Sequence, residues 1–129
     1  MTFDTGQVAA AYDDLAPDGS EIRLLVMVNG GSMVHCTLRP GQISQAVRHR
    51  SVEEVWYCVA GAGQLWRRSG QAEEVVDLQP GVAVSIPVGT EFQFRTRGER
   101  PLEVVITTMP PWPGADEAIA VQGAWATSA

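Results

Sequence analysis

An imidazole at His49 and a carboxylate at Glu54 are the two side chains of this 129-residue sequence best suited to moving a proton. Histidine changes charge closest to neutrality, and a carboxylate near it can orient it or act as its partner. His35 is the one other histidine, and Cys36 and Cys58 are the two thiols. All nine basic residues are arginine, so lysine Schiff-base chemistry, a lysine base and a phosphate-loop lysine are excluded. Fifteen carboxylates against those arginines give a formal charge of -6, which argues against a nucleic-acid partner. No apolar run approaches the roughly 18 residues of a membrane span, so no membrane partner is expected. The N-terminal MTFDTGQ lacks a basic-then-apolar leader pattern, and a cytoplasmic location is expected, with both cysteines reduced.

Short strands must position these residues. IRLLVMV, SMVHCTL, EVWYCVA, QLWRR, EVVDL, VAVSIP, EFQFRT and LEVVITT are apolar or alternating runs. Turn signals separate them, among them Asn29-Gly30, Gly61-Ala62-Gly63, Ser69-Gly70 and Pro80-Gly81. That spacing predicts an all-β sandwich or barrel in a single domain. Residues 1–21 read as an N-terminal extension in which Ala9 to Leu15 can form one or two helical turns, ended by Pro17 and Gly19. Residues 22–109 form the barrel. Residues 110–129 form a tail whose Trp112 and Trp125 pack on it, because two exposed indoles would be costly.

Two stretches carry matching punctuation. Gly41, His49, Glu54 and Gly61 lie in the first; Gly81, Pro87 and Gly89 lie in the second. Their offsets resemble the two motifs of the cupin superfamily, G-x5-H-x-H-x4-E-x6-G and G-x5-P-x-G-x2-H-x3-N. Seven of the ten fixed positions match. The resemblance implies a cupin jelly-roll β-barrel, a small-molecule ligand in a central pocket and a homodimer. In metal-binding cupins the two motif-1 histidines, the glutamate and the motif-2 histidine hold the ion. Here Val47 and Phe92 replace two of the four, and Thr96 replaces the terminal asparagine. Two side-chain ligands hold a transition ion weakly, so no metal and no other cofactor is expected. If a divalent metal does bind, His49 and Glu54 are its ligands.

Strand alternation then sorts the neighbours, since residues two apart share a face. With His49, Glu54 and Phe92 inward, the pocket comprises Val47, His49, Glu54, Trp56, Cys58, Phe92, Phe94 and Thr96, while Arg48, Arg50 and Arg95 face out. An apolar, aromatic lining with one imidazole and one carboxylate suits a small molecule. The expected activity is metal-independent acid/base chemistry of the isomerase, epimerase, dehydratase or cyclase type on a small polar metabolite such as a sugar derivative. His49 is the base or acid and Glu54 its coupled partner; Val47, Trp56, Cys58, Phe92, Phe94 and Thr96 bind the substrate. One alternative is a non-catalytic binding or sensory module. Another is a metal-dependent, oxygenase-like cupin that completes its ligand set with His35 or Cys58.

Overall fold

The computed structural model describes residues 2–128. Its strands are β1 (Asp14–Leu15), β2 (Glu21–Val28), β3 (Gly31–Leu38), β4 (Val47–His49), β5 (Glu53–Ala60), β6 (Ala62–Ser69), β7 (Ala72–Leu78), β8 (Ala83–Ile86), β9 (Glu91–Arg97), β10 (Leu102–Met109) and β11 (Ala118–Ala120). One sheet has the order β1-β2-β3-β10-β5-β8 and the other β11-β4-β9-β6-β7, with antiparallel pairing throughout. All eight apolar runs seen in the sequence form strands. The architecture is an all-β jelly roll of two sheets, as the resemblance implies.

The alternation predicted for β5 is what packs the interior. Glu54, Trp56 and Cys58 are buried, whereas Glu53, Val55, Tyr57 and Val59 are exposed. On β10 the inward set is Leu102, Val104, Ile106 and Thr108. Trp56 meets Phe92 and Phe94 edge-on, at centroid separations of 5.7 and 5.0 Å. Each such buried ring contributes about 1.5–3 kcal/mol from lost apolar exposure. Gly61 ends β5 at φ +78, and a Cβ there would run into the Pro101 carbonyl, so the motif glycine answers both a turn and a close approach.

The N-terminal segment departs from expectation. Residues 9–13 form no helix, because barrel groups take up their backbone bonds. Arg23 donates to the Ala9 and Ala10 carbonyls, Asp13 N–H donates to the Ile22 carbonyl, and Asp13 Oδ2 accepts from Leu24 N–H. β1 then pairs with β2. The tail does more than pack on the barrel: β11 extends the second sheet by pairing with β4. Trp125 lies beneath the Arg95 guanidinium at 4.1 Å, and its backbone bonds both ends of the Gln93 amide. Gln93 faces outward by alternation yet is fully buried, because the tail covers it.

Candidate functional site

A cavity of about 710 Å³ opens between the sheets at the end of the barrel where β4, β5 and β10 bring their site residues together. That volume is in the range of small-molecule sites. Val47, Trp56, Phe92 and Ile106 make its apolar depth, and Leu15, Leu24 and Met27 line it nearer the surface. A bulge in β2 sets two residues, Leu25 and Val26, against the single Met33 of β3 between Leu24 and Met27, which adds a stretch of β2 to the wall. The polar lining includes Asp18, Ser20, His49, Glu54 and Thr108.

His49 lies at the end of β4 and is 5 % exposed. Phe92 and Trp112 contact its ring edge-on, at centroid separations of 5.2 and 5.1 Å. Its Nδ1 is buried with no hydrogen-bond partner among the described residues. Burial pushes the imidazole below its ordinary 6.5, opposed by the Asp18 and Glu117 carboxylates. The ring is therefore neutral at neutral pH and able to accept a proton.

Glu54, from β5, is buried and held at both oxygens. Trp56 Nε1 donates to Oε1 at 3.0 Å, and the Thr108 hydroxyl donates to Oε2 at 2.7 Å. Burial pushes its carboxyl above the usual range, and those two bonds oppose the shift. The expected His49–Glu54 coupling is thereby corrected. No ion pair joins them among the described residues, and the carboxylates that act on the imidazole are Asp18 and Glu117. The reason is geometric: the indole and hydroxyl donors tie Glu54 to its own wall.

Asp18 sits in the tight turn before β2, where Gly19 adopts φ +96. Ser20 donates both its N–H (2.9 Å) and its hydroxyl (2.6 Å) to Asp18 Oδ1. Burial raises this carboxyl too; the Ser20 bonds lower it and the Glu54 charge raises it further. In sequence, Asp-Gly before the first strand reads only as a turn, so nothing there marked Asp18 as lining the cavity. Trp112 gave no signal beyond its aromaticity. Thr108 was missed as well, although the inward alternation of β10 is the signal that could have found it.

Of the eight residues expected in the pocket, Val47, His49, Glu54, Trp56 and Phe92 line the cavity together; Cys58, Phe94 and Thr96 do not. Those three point inward but lie further along their strands, in the packed part of the barrel. The Thr96 hydroxyl is spent on the Arg39 and Gln42 backbone. The Cys58 thiol donates to the Ala60 carbonyl at 3.7 Å, and burial raises its pKa. Phe94 fills space against Trp56. His35 lies apart from the cavity, its Nε2 3.0 Å from Glu103.

The metal positions of the cupin motif converge, but their chemistry does not suit an ion. Val47 and Phe92 are register partners, His49 is walled by aromatic rings, and both Glu54 oxygens already accept hydrogen bonds. Among the described residues no three His, Cys, Asp or Glu side chains form a metal-binding group. The residues at these positions do not fit a resident metal. No helix among them is long and apolar enough to cross a membrane.

Several solved structures share the fold. Streptomyces Pac13 with uridine superposes with a TM-score of 0.71 at 18 % identity, over 95 % of this chain and 93 % of that one. Pac13 is described as a nucleoside dehydratase. KdgF from Halomonas sp. gives 0.65 at 19 % identity, over 77 % of this chain and 86 % of its own. Oxalate decarboxylase from Bacillus subtilis gives 0.75 at 16 % identity, over 94 % of this chain but 33 % of its own. No curated protein matches the sequence. The Cupin domain family profile matches residues 34–108, more than half of the sequence and all the strands that carry its two motifs; the chain belongs to the cupin family.

Proposed function

We propose that this cupin is a metal-independent acid/base enzyme acting on a small polar metabolite such as a sugar derivative, by isomerisation, epimerisation, dehydration or cyclisation. The observation that carries the reading is His49: a buried imidazole with an unpartnered Nδ1, lining a cavity whose other motif positions are a valine, a phenylalanine and a fully bonded glutamate. Such a ring suits general base catalysis, because it is uncharged at neutral pH and held rigidly by its neighbours. The substrate lies against Trp56, Phe92 and Val47. His49 takes a proton from a carbon acidified by an adjacent carbonyl. In an elimination, the protonated His49 passes that proton to the departing hydroxyl, so the C–H and C–O bonds break and water leaves. In an isomerisation or epimerisation, a proton returns to carbon instead. Glu54, held at both oxygens by Trp56 and Thr108, fixes the Trp56 indole against which the substrate lies. The likeness in fold and length to a nucleoside dehydratase supports elimination within this set.

A thermal-shift screen of sugar and nucleoside derivatives, followed by turnover assays on every stabilising compound, tests the reading. At least one binder is expected to be converted. Binders that all return unchanged would make this a non-catalytic binding module. A homodimer belongs to the same proposal. Val55, Tyr57 and Val59 leave an exposed apolar row on the outer side of β5, which a second copy can cover. Light scattering should give twice the chain mass of 13.9 kDa, and Tyr57→Glu should halve it; a monomeric wild type contradicts the dimer.

A further inference from the structure

The charged groups lining the cavity are of one sign. Asp4, Asp13, Asp14, Asp18 and Glu54 line it, and no arginine does among the described residues, although the chain has nine. Three of the arginines are committed elsewhere: Arg23 to the Ala9 and Ala10 carbonyls, Arg50 to the Asp116 carbonyl and Arg68 to Glu91. The carboxylates differ in what they can still accept. Asp13 and Asp14 each accept a backbone N–H and contribute mainly their field. Both Ser20 bonds to Asp18 go to Oδ1, so Oδ2 keeps its accepting capacity. The same cavity is lined by Trp56, Phe92 and Trp112. Carboxylates combined with aromatic rings are what a desolvated ammonium needs, because ring faces attract a cation and the acid accepts its N–H bonds. A phosphate or carboxylate would meet repulsion from every charged residue but a protonated His49. His49, a buried imidazole whose Nδ1 has no hydrogen-bond partner among the described residues, lines the same cavity.

We infer that the ligand of this cavity carries a protonated amine on an apolar or ring-shaped frame, with Asp18 as the acceptor of its N–H bonds. The inference rests on the proposed enzyme reading and narrows its substrate to an aminated metabolite, excluding phosphorylated and carboxylated ones. Three probes on one frame separate the charge classes: 2-phenylethylamine, 2-phenylethanol and phenylacetate, measured by calorimetry on the full chain in an amine-free buffer. The amine should bind about tenfold more tightly than the alcohol, the gain expected of one charge-assisted hydrogen bond. Phenylacetate should bind least. Asp18→Asn should reduce the amine to the affinity of the alcohol and leave the alcohol unchanged. Should that variant misfold, a salt series on the wild type serves: added salt should weaken the amine alone.

Equal binding of all three probes, preferred binding of phenylacetate, or saturable binding of none overturns the ligand class. Retention of the amine preference in Asp18→Asn overturns the assignment to Asp18. The enzyme reading fails separately. His49→Gln should keep the amine preference while losing turnover, so a failure of ligand class and a failure of chemistry give different results.

Discussion

His49→Gln is expected to lower kcat by about 100- to 10,000-fold, the range over which a positioned general base accelerates proton transfer. Glutamine keeps polar atoms in the place of the ring and cannot take up a proton. The edge-on contacts to Phe92 and Trp112 hold His49 from two sides, so the loss should fall on kcat far more than on KM. The pH profile gives a second readout. Because burial lowers the His49 pKa beneath 6.5, the wild-type rate should hold as pH falls from 7 towards 6.5 and decline only at lower pH. The residual rate of His49→Gln should lack that limb. Stability follows the same linkage. The unfolded state binds its proton near 6.5 and the folded state only lower, so between those values unfolding takes up a proton and stability declines with falling pH. His49→Gln removes that contribution. A variant that turns substrate over at the wild-type rate contradicts the assignment of the base.

Glu117→Ala is expected to destabilise the fold by about 1–3 kcal/mol, as befits orphaning the buried Val52 N–H and losing the Ser51 bonds to the same carboxylate. Glu117 ends the 3-10 turn Ala115–Glu117 and is 6 % exposed. Its Oε1 accepts the Ser51 and Val52 N–H groups, and the Ser51 hydroxyl bonds both carboxylate oxygens. Its own carbonyl accepts the Arg50 N–H at 3.0 Å. The latch therefore clasps the segment directly after His49 and starts the β11–β4 pairing, in which Ala118 opposes His49. Trp112, which closes over the imidazole, lies on the chain just before it. The melting temperature should fall by about 10 °C, by the usual conversion for a domain of this size. Ligand affinity should fall as well, because Trp112 and Ala118 leave the cavity wall. Burial would raise the Glu117 carboxyl, but the Ser51 and Val52 bonds outweigh it and hold it below 4.5. Its contribution is thus present above pH 4.5 and lost as pH falls through the lower folded value. An unchanged melting temperature and affinity in Glu117→Ala contradict the latch.

Sequence periodicity carried the fold and one coordinate of the site. A period of two assigned Glu54, Trp56 and Cys58 to one face and Val55, Tyr57 and Val59 to the other, as found. Periodicity reports a face and says nothing of height along the barrel. Cys58, Phe94 and Thr96 share the inward face with the cavity residues but fall in its packed part. Motif spacing located His49 and Glu54 but not their partners, which depend on chains returning from afar. Thr108 reaches Glu54 across 54 residues of sequence, and Glu117 reaches Val52 across 65. Asp18 was hidden because Asp-Gly-Ser is ordinary turn chemistry until the hairpin folds it over the cavity. Gln93 was misplaced because alternation cannot anticipate a tail covering the outer face of a sheet.

The central claim is that His49 works without a metal. The most direct measurement is turnover by chelator-treated protein whose metal content is determined in the same sample, using the first substrate found in the metabolite screen. Full activity with metal far below one ion per chain, unchanged on adding iron, manganese, nickel or zinc and lost in His49→Gln, is the predicted result. Activity that disappears with the metal and returns in proportion to the ion restored contradicts it.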